Sequence, residues 1–348
     1  MKALVLTKPG RLEYGDLPTP APSPDEVLVA VRACGICGSD VHGLDGSTGR
    51  RQPPLVMGHE ASGVIAAVGS AVTGWAEGER VTFDSTISCG RCDPCRRGEV
   101  NLCEHRRVLG VSCDEYRQDG AFADYVAVPA HILYRLPDEL SFERAAFAEP
   151  LSVAVHAVRR AAIPPEATAV VVGTGMVGLL VVQVLFASGC RRVIGVDTDP
   201  RRLDLAVQVG ADAVRGDPDT VAAAVRERTG GAGADLAIEV VGVPGAVLTA
   251  IGSVRKGGQV VLVGNLSPLV DLPLQVVVSR QLTIFGSCAS AGEYPECIDL
   301  LSSRKVGVDM LMSAVAPLSE GAGWFERLTS GAGDLMKVVL QPDLNGAR

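Results

Sequence analysis

Aromatic side chains make up only 4% of this 348-residue chain, too few to build stacking platforms for single-stranded nucleic acid. An excess of positive charge is missing too. The formal net charge is −8, whereas a polyanion held by counterion release needs a basic face. No apolar run reaches the ~18 residues that a membrane span requires. The opening MKALVLTKPG is broken at Pro9-Gly10, too early for a secretory signal. An even scatter of cysteines is also lacking: of ten, four fall between Cys89 and Cys103. Without a leader, that clustering favours reduced thiols and a metal over a disulfide framework. The expectation is a soluble cytoplasmic protein with neither nucleic acid nor membrane among its partners.

What is present points to an α/β protein. Forty glycines and a hydrophobic fraction of 47% suit a globular chain with many tight turns. The length suits two domains, at roughly 150 residues each. Short β-like runs (VLVAVRA, GVIAAVG, RVTFD, ADYVAVP), separated by turn residues, describe an irregular β-rich first domain. From Ala167 onward the style changes. The apolar strands AVVVG, RRVIGVD, DLAIEVVG, QVVLVGN and QLTIFGS alternate with helices beginning near Met176, Pro200 and Pro244. Such alternation implies a doubly wound parallel sheet covered on both faces. After about residue 290 the pattern loosens, and the tail is expected to rejoin the first domain.

Gly173-Thr-Gly175-Met176-Val177-Gly178 follows the strand AVVV and opens a helix. The first glycine permits a tight turn, the second lets the backbone approach a pyrophosphate, and the third lets helix and sheet pack closely. The next strand ends in Asp197, 19 positions after Gly178, where a carboxylate accepts hydrogen bonds from an adenosine ribose and repels a 2′-phosphate. NAD is therefore expected over NADP, although Arg201 and Arg202 follow closely and an arginine can accommodate that phosphate. The competing reading is a glycine turn in a doubly wound domain that binds no nucleotide.

Cys89, Cys92, Cys95 and Cys103 read C-x2-C-x2-C-x7-C, and four thiolates so spaced close a tetrahedral zinc site that braces a loop. Coincidental surface cysteines and a nucleic-acid zinc ribbon are the alternatives, the latter disfavoured by the acidic charge. A second metal is suggested by His59-Glu60, a zinc-compatible pair whose two side chains reach one ion only if the backbone bends, as Gly58 permits. A distant thiolate would complete three ligands and leave a fourth position open. On its own the pair reads equally as a surface turn. Upstream, RACGICGSDVH holds Cys34-x-x-Cys37, which by itself is a redox dithiol, half a zinc knuckle, or one ligand beside a bystander.

Taken together, CGICGSDVH, GHEASGVIAAVGSAV, the four-cysteine lobe, AEPLSVAVHA and GTGMVG resemble, in order and over nearly the whole chain, the zinc-dependent medium-chain dehydrogenases. The wording is closest to the sorbitol and polyol branch. The resemblance implies a GroES-like catalytic domain at 1–151 and 291–348, carrying a structural zinc lobe at 89–103, and a Rossmann coenzyme domain at 152–290. It makes Cys37, His59 and Glu60 ligands of a catalytic zinc, with Glu149 in AEPLSV hydrogen-bonding the zinc water or ligating in an alternative state. Ser39 and His42 take the proton-relay positions, passing a proton by way of the nicotinamide ribose to solvent; histidine is the side chain that changes charge at physiological pH. Asp40 is read as structural and Cys34 as a buried spare. Met176, Val177, Arg202, Val241 and Gly264 join the glycines and Asp197 around the coenzyme, with the nicotinamide near Val177. The implied assembly is a homotetramer or homodimer.

The implied reaction is oxidation of a secondary alcohol, a polyol or cyclitol, to the ketone with hydride transfer to NAD. Two departures bear on the substrate. Gly43 stands where polyol dehydrogenases often have an aromatic residue after the histidine, and Ser287-Cys288 replace an Arg-Tyr-like pair. Sorbitol itself is thereby put in doubt, leaving cyclitols, phosphorylated polyols, vicinal diols and threonine. L-Threonine 3-dehydrogenase or vicinal-diol dehydrogenase activity is the runner-up within the class. A catalytically silent NAD-binding scaffold is the reading from outside it.

Overall fold

The computed structural model describes residues 1–331 and 335–343. Two compact units divide the chain: Met1–Glu149 with the described residues from Tyr294 onward, and Pro150–Glu293.

In the first unit a seven-stranded sheet is organised around Glu26–Gly35. That strand, EVLVAVRACG, is almost wholly buried, as its run of Val, Leu and Ala demands. Along the sheet lie Leu133–Arg135, Arg80–Phe83, Glu60–Val68, Glu26–Gly35, Lys337–Gln341 and Met312–Pro317, with Tyr125–Pro129 also paired to Glu26–Gly35. Register matters for the chemistry. Gly35 sits opposite Glu60 on one side and Val339 on the other, and Cys34 opposite Ala61 and Leu340. The end of the central strand is thus brought between the start of one neighbour and a strand from the chain's last residues. Val27, Val29, Val31, Phe83, Phe122 and Phe325 fill the core beneath.

The second unit is a six-stranded parallel sheet in the order Asp212–Val214, Arg192–Val196, Thr168–Val172, Ala234–Glu239, Val254–Leu262, Thr283–Gly286. Counted along the chain this is 3-2-1-4-5-6, the order of dinucleotide-binding folds, with a switch point between the first and fourth strands. Helix Met176–Ala187 is apolar nearly all round and is buried from Gly178 to Leu185. Helices Pro200–Gln208 and Pro244–Ser253 start on prolines, whose fixed φ suits a first helical turn. Strand Asp212–Val214 and helix Pro218–Arg228 are additions to the sequence reading. The strand has three residues, too few to show a period.

Candidate functional site

Helix Gly38–Gly43 begins just beyond the end of the central strand, with Cys37 as its N-cap residue in extended conformation. Cys37, His59 and Glu60 each bring a ligand atom to within 4.8 Å of the others. Two glycines make this convergence possible. Gly58 has φ +94°, a left-handed backbone closed to most residues, and a Cβ there would stand 2.9 Å from Cys34 Sγ and from the Phe122 ring. The resulting turn lets the adjacent His59 and Glu60 serve one point. A Cβ on Gly35 would collide with the Glu60 carboxylate lying across it.

Buried charge surrounds the group. Lys337 Nζ lies 2.8 and 2.6 Å from the two oxygens of Glu60 and donates to the Ile36 carbonyl at 3.0 Å. Burial lowers the Lys337 pKa, but Glu60, Cys37 and Glu149 together outweigh it and the net shift is upward. Asp40, fully buried, accepts from Arg51 Nη2 at 2.9 Å and from the Cys37 amide at 3.3 Å. Its Oδ1 is 3.5 Å from His59 Nδ1, at the edge of hydrogen-bond range. Burial pushes the Asp40 carboxyl up; His59 and then Arg51 more than offset it, holding it well below the carboxylate range. Burial likewise opposes a charged His59, while Asp40 and Cys37 raise its pKa. With Nδ1 turned to Asp40, the other ring nitrogen is left for a ligand. Nδ1 is buried and makes no hydrogen bond among the described residues, so Asp40 acts on the ring through its charge at 3.5 Å. A thiolate, an imidazole and a carboxylate are a donor set that suits zinc.

The remaining residues singled out from sequence lie as follows. Ser39 and His42 are exposed and three apart on helix Gly38–Gly43, hence on one face. Glu149, at the start of helix Ala148–Arg159, accepts from Ser85 Oγ at 3.1 Å. It lies outside the 4.8 Å trio. Burial raises its pKa, with His59, Glu60 and Lys337 near enough to act on it. Cys34 is buried in the core, its thiol pKa raised by burial, and it is not in the trio.

Cys89, Cys92, Cys95 and Cys103 converge within 4.8 Å. Cys92 Sγ is 3.4 Å from Cys95 Sγ and 3.8 Å from Cys103 Sγ. Thiolates at about 2.3 Å from a tetrahedral ion stand about 3.8 Å apart, so the spacing fits zinc. The electrostatics also ask for a cation. The amides of Arg91 and Cys92 lower the Cys89 thiol to about 6, while burial and the neighbouring sulfurs push Cys95 up to about 12.

In the second unit the nucleotide motif sits at the C-terminal edge of the sheet, where open α/β folds bind ligands. Gly173 has φ +95°, and a Cβ on it would strike Val241. A Cβ on Gly178 would run into the Gly173 carbonyl, which is the close packing the third glycine allows. Gly175 caps helix Met176–Ala187, so Met176 and Val177 form its first turn. Asp197 is 7% exposed by its side chain. It accepts from Thr174 N and Oγ1 at 2.8 and 3.3 Å and from the Thr198 and Asp199 amides at 2.8 and 3.0 Å. It therefore ties the glycine turn to the turn after the next strand. Arg202 Nη1 lies 3.8 Å from Asp197 and its side chain is half exposed, whereas Arg201 pairs with Asp199.

Sequence reasoning missed Glu239. Its Oε1 accepts from Val241 N and Gly242 N at 2.7 Å, and its main-chain carbonyl accepts from Gly264 N at 3.2 Å, so it organises the turns holding Val241 and Gly264. Lys337 and Arg51 were missed as well. A lone Lys or Arg outside a motif carries no local sign of burial.

Residues 23–138 match the family model described as alcohol dehydrogenase GroES-like domain, and residues 176–303 the one described as zinc-binding dehydrogenase. The chain is 35% identical to sorbitol dehydrogenase of Bacillus subtilis (strain 168) over 349 residues, 99% of this chain and 98% of that one. It is 38% identical to D-xylulose reductase A of Aspergillus niger over 334 residues, covering 93% and 92%. Among solved structures, 2R,3R-butanediol dehydrogenase from Bacillus subtilis is similar with a TM-score of 0.88 and 30% identity, over 98% of this chain and 99% of that one.

Proposed function

Because the chain belongs to the zinc-dependent medium-chain dehydrogenases, we propose that it oxidises a secondary alcohol of a polyol or cyclitol to the ketone, with NAD as hydride acceptor. The observation that carries the reading is the convergence of the half-buried Cys37 with the buried His59 and Glu60 among buried, balancing charges. These three would hold the catalytic zinc, with Glu149 beside them, and Cys89, Cys92, Cys95 and Cys103 the structural one. Gly173, Gly175, Met176, Val177, Gly178, Asp197, Arg202, Val241 and Gly264 would hold the coenzyme.

Bound there, the metal supplies Lewis acidity that acidifies an alcohol hydroxyl, and the coenzyme supplies the hydride acceptor. The chain's own residues handle position and proton. Asp40 sets a negative charge beside the His59 ring, and Lys337 sets a positive one against the buried Glu60 carboxylate. The Ser39 hydroxyl takes the substrate proton as it yields its own, and His42, exposed on the same helix face, releases it to water. The adenosine ribose is met by Asp197, whose charge disfavours a 2′-phosphate.

A vicinal-diol substrate is the second reading, favoured by the likeness to a butanediol dehydrogenase. The assembly we propose is a homodimer or homotetramer. Leu269, Leu274 and Val278 are 82%, 64% and 69% exposed in the segment that precedes the sheet-edge strand Thr283–Gly286, and exposed apolar side chains and an open strand edge both suit a second copy. Among the described residues no helix is long and apolar enough to cross a membrane. The gathering of Cys89, Cys92, Cys95 and Cys103 into one metal-ligand cluster, the use of cysteine expected where thiols stay reduced, supports a cytoplasmic location.

Metal analysis together with turnover of sorbitol, xylitol, a cyclitol, 2,3-butanediol and threonine, each with NAD and NADP, tests the reading. Two zincs per chain and NAD-linked oxidation of a polyol, cyclitol or diol are expected. Fewer than two zincs with no turnover of any alcohol would leave the silent scaffold instead.

A further inference from the structure

The short helix Gly38–Gly43 turns Ser39 and His42 outward and Asp40 and Gly43 inward, each pair three residues apart. Against the inner face lies Arg51, its side chain 5% exposed. Its Nη2 stands 2.9 Å from Asp40 Oδ1 and 3.4 Å from Ser39 Oγ, its Nη1 donates to the Arg50 carbonyl at 3.2 Å, and its Nε is buried with no hydrogen-bond partner among the described residues. Burying a guanidinium so completely is costly, and the pairing with Asp40 only partly accounts for the placement. The stem passes where a side chain at position 43 would be: a Cβ on Gly43 would stand 2.7 Å from Arg51 Cγ and 3.2 Å from Thr48 Oγ1. Any residue larger than glycine would displace the arginine.

We propose that Arg51 is a positioning residue for the proton relay, and that Gly43 is the vacancy that admits it. The inference rests on the assignment of Ser39 to the relay. Arginine has five N–H donors and no acceptor, so Ser39 Oγ can only accept from it. That contact occupies one lone pair on the side of Arg51 and leaves the hydroxyl hydrogen free to point outward, on the face shared with His42. In the oxidation direction the substrate O–H bond breaks as a new O–H bond forms at Ser39, and the original serine proton leaves outward. No electrons are exchanged in this step. The fixed charge beside Oγ favours the moment at which the serine proton is departing, and the same charge keeps Asp40 paired while Asp40 faces His59 Nδ1 at 3.5 Å.

Kinetics of Arg51→Ala, Arg51→Lys, Gly43→Ala and the double Gly43→Ala/Arg51→Ala test this, with Ser39→Ala as reference. Arg51→Ala is expected to lower kcat by about tenfold to a hundredfold, the range for losing a supporting contact, with KM for the alcohol little changed and a larger solvent deuterium isotope effect. Arg51→Lys should recover part of kcat. Gly43→Ala changes no charge yet should repeat the Arg51→Ala pattern more weakly, and add nothing in the double variant. Thermal unfolding of the unsubstituted chain, Arg51→Ala, Gly43→Ala and the double variant, all stripped of metal, supplies a second readout, independent of turnover, in which the two sites should be non-additive.

Unchanged kcat and isotope effect in zinc-replete Arg51→Ala, with Ser39→Ala inactive, would overturn the proposal and leave the relay standing. Full activity in Ser39→Ala would remove the relay itself, and the proposal with it. If Arg51→Ala fails to fold or to keep zinc, Gly43→Ala decides alone, and an unaltered isotope effect there overturns the inference. Additive melting temperatures would overturn the pairing of the two positions.

Discussion

Two clusters of candidate metal ligands in the first unit are built in opposite ways. Cys89 and Cys103, the outer members of one, are 14 residues apart, and helix Asp93–Arg96 and a few turns bring all four sulfurs together. Two of those four cysteines are half-buried, and charged neighbours such as Arg96 and Arg97 face water. The other cluster draws on residues 37, 59 and 60, reached from two strands, and is balanced by Lys337, 277 positions from Glu60. Its supporting charges are inside: Asp40, Arg51 and Lys337 are all buried. A closed site that braces a loop needs only local turns. A site that keeps a coordination position open for substrate needs the whole sheet to hold its ligands still.

The sharpest way to break the comparison is Cys37→Ser, expected to reduce turnover by well over about a hundredfold because a ligand matters more than its supports. Cys34→Ser, three residues away in the core, should leave most activity. Equal losses, measured as kcat/KM with zinc content, would revive a paired-thiol reading of the motif. Next comes Lys337→Met. Removing one partner leaves Glu60 as an uncompensated buried charge, so a loss of about 3–5 kcal/mol of stability is expected in denaturant unfolding. A loss near zero would mean that water reaches the pair.

Cys92→Ser should act in the reverse manner on the other cluster. One zinc per chain is expected to go, with a lower melting temperature and early chelator sensitivity, while the remaining activity keeps its KM. A large change in KM would make the lobe more than a brace.

The smallest expected effect belongs to a pair in neither cluster, Glu293 with His156 Nδ1 at 2.8 Å. Burial raises the Glu293 pKa, but His156 and the Ala291 amide outweigh it and the net shift is downward. A depressed carboxyl contributes stability that is complete above the ordinary glutamate range and is lost as pH falls through the lower folded value. Melting temperature against pH should therefore decline only on the acid side, and His156→Ala should flatten part of that decline. A decline towards neutral pH instead would assign the effect to another group.

How much of this could be read from the residues follows the same division. The four-cysteine lobe and Gly173-x-Gly175-x-x-Gly178 are contiguous, and both converge in space as their spacing suggests. The strands and helices flanking the glycine motif were legible because long apolar runs alternate there with amphipathic ones. His59-Glu60 pointed to a metal, but the thiolate was assigned to Cys37 only through resemblance, since nothing local separates it from Cys34. Register separates them: Cys34 is paired within the sheet, while Cys37 lies beyond the last paired residue. Asp40 was read as structural, and the structure gives it contacts to His59 and Arg51. Those contacts, like Glu239 beneath the coenzyme turns and Lys337 beneath Glu60, depend on burial and on distant strands, for which a single charged letter carries no signal.

The span of the Lys337–Glu60 contact has a consequence for how the chain acquires its metals. Closing 277 residues rather than 14 costs about 2–3 kcal/mol more in chain entropy. The lobe can therefore assemble as soon as its own short segment exists, whereas the trio has its counter-charge only when the final strand has been made and docked. The lobe is therefore expected to take up its ion before the trio does, which metal uptake followed during refolding would check.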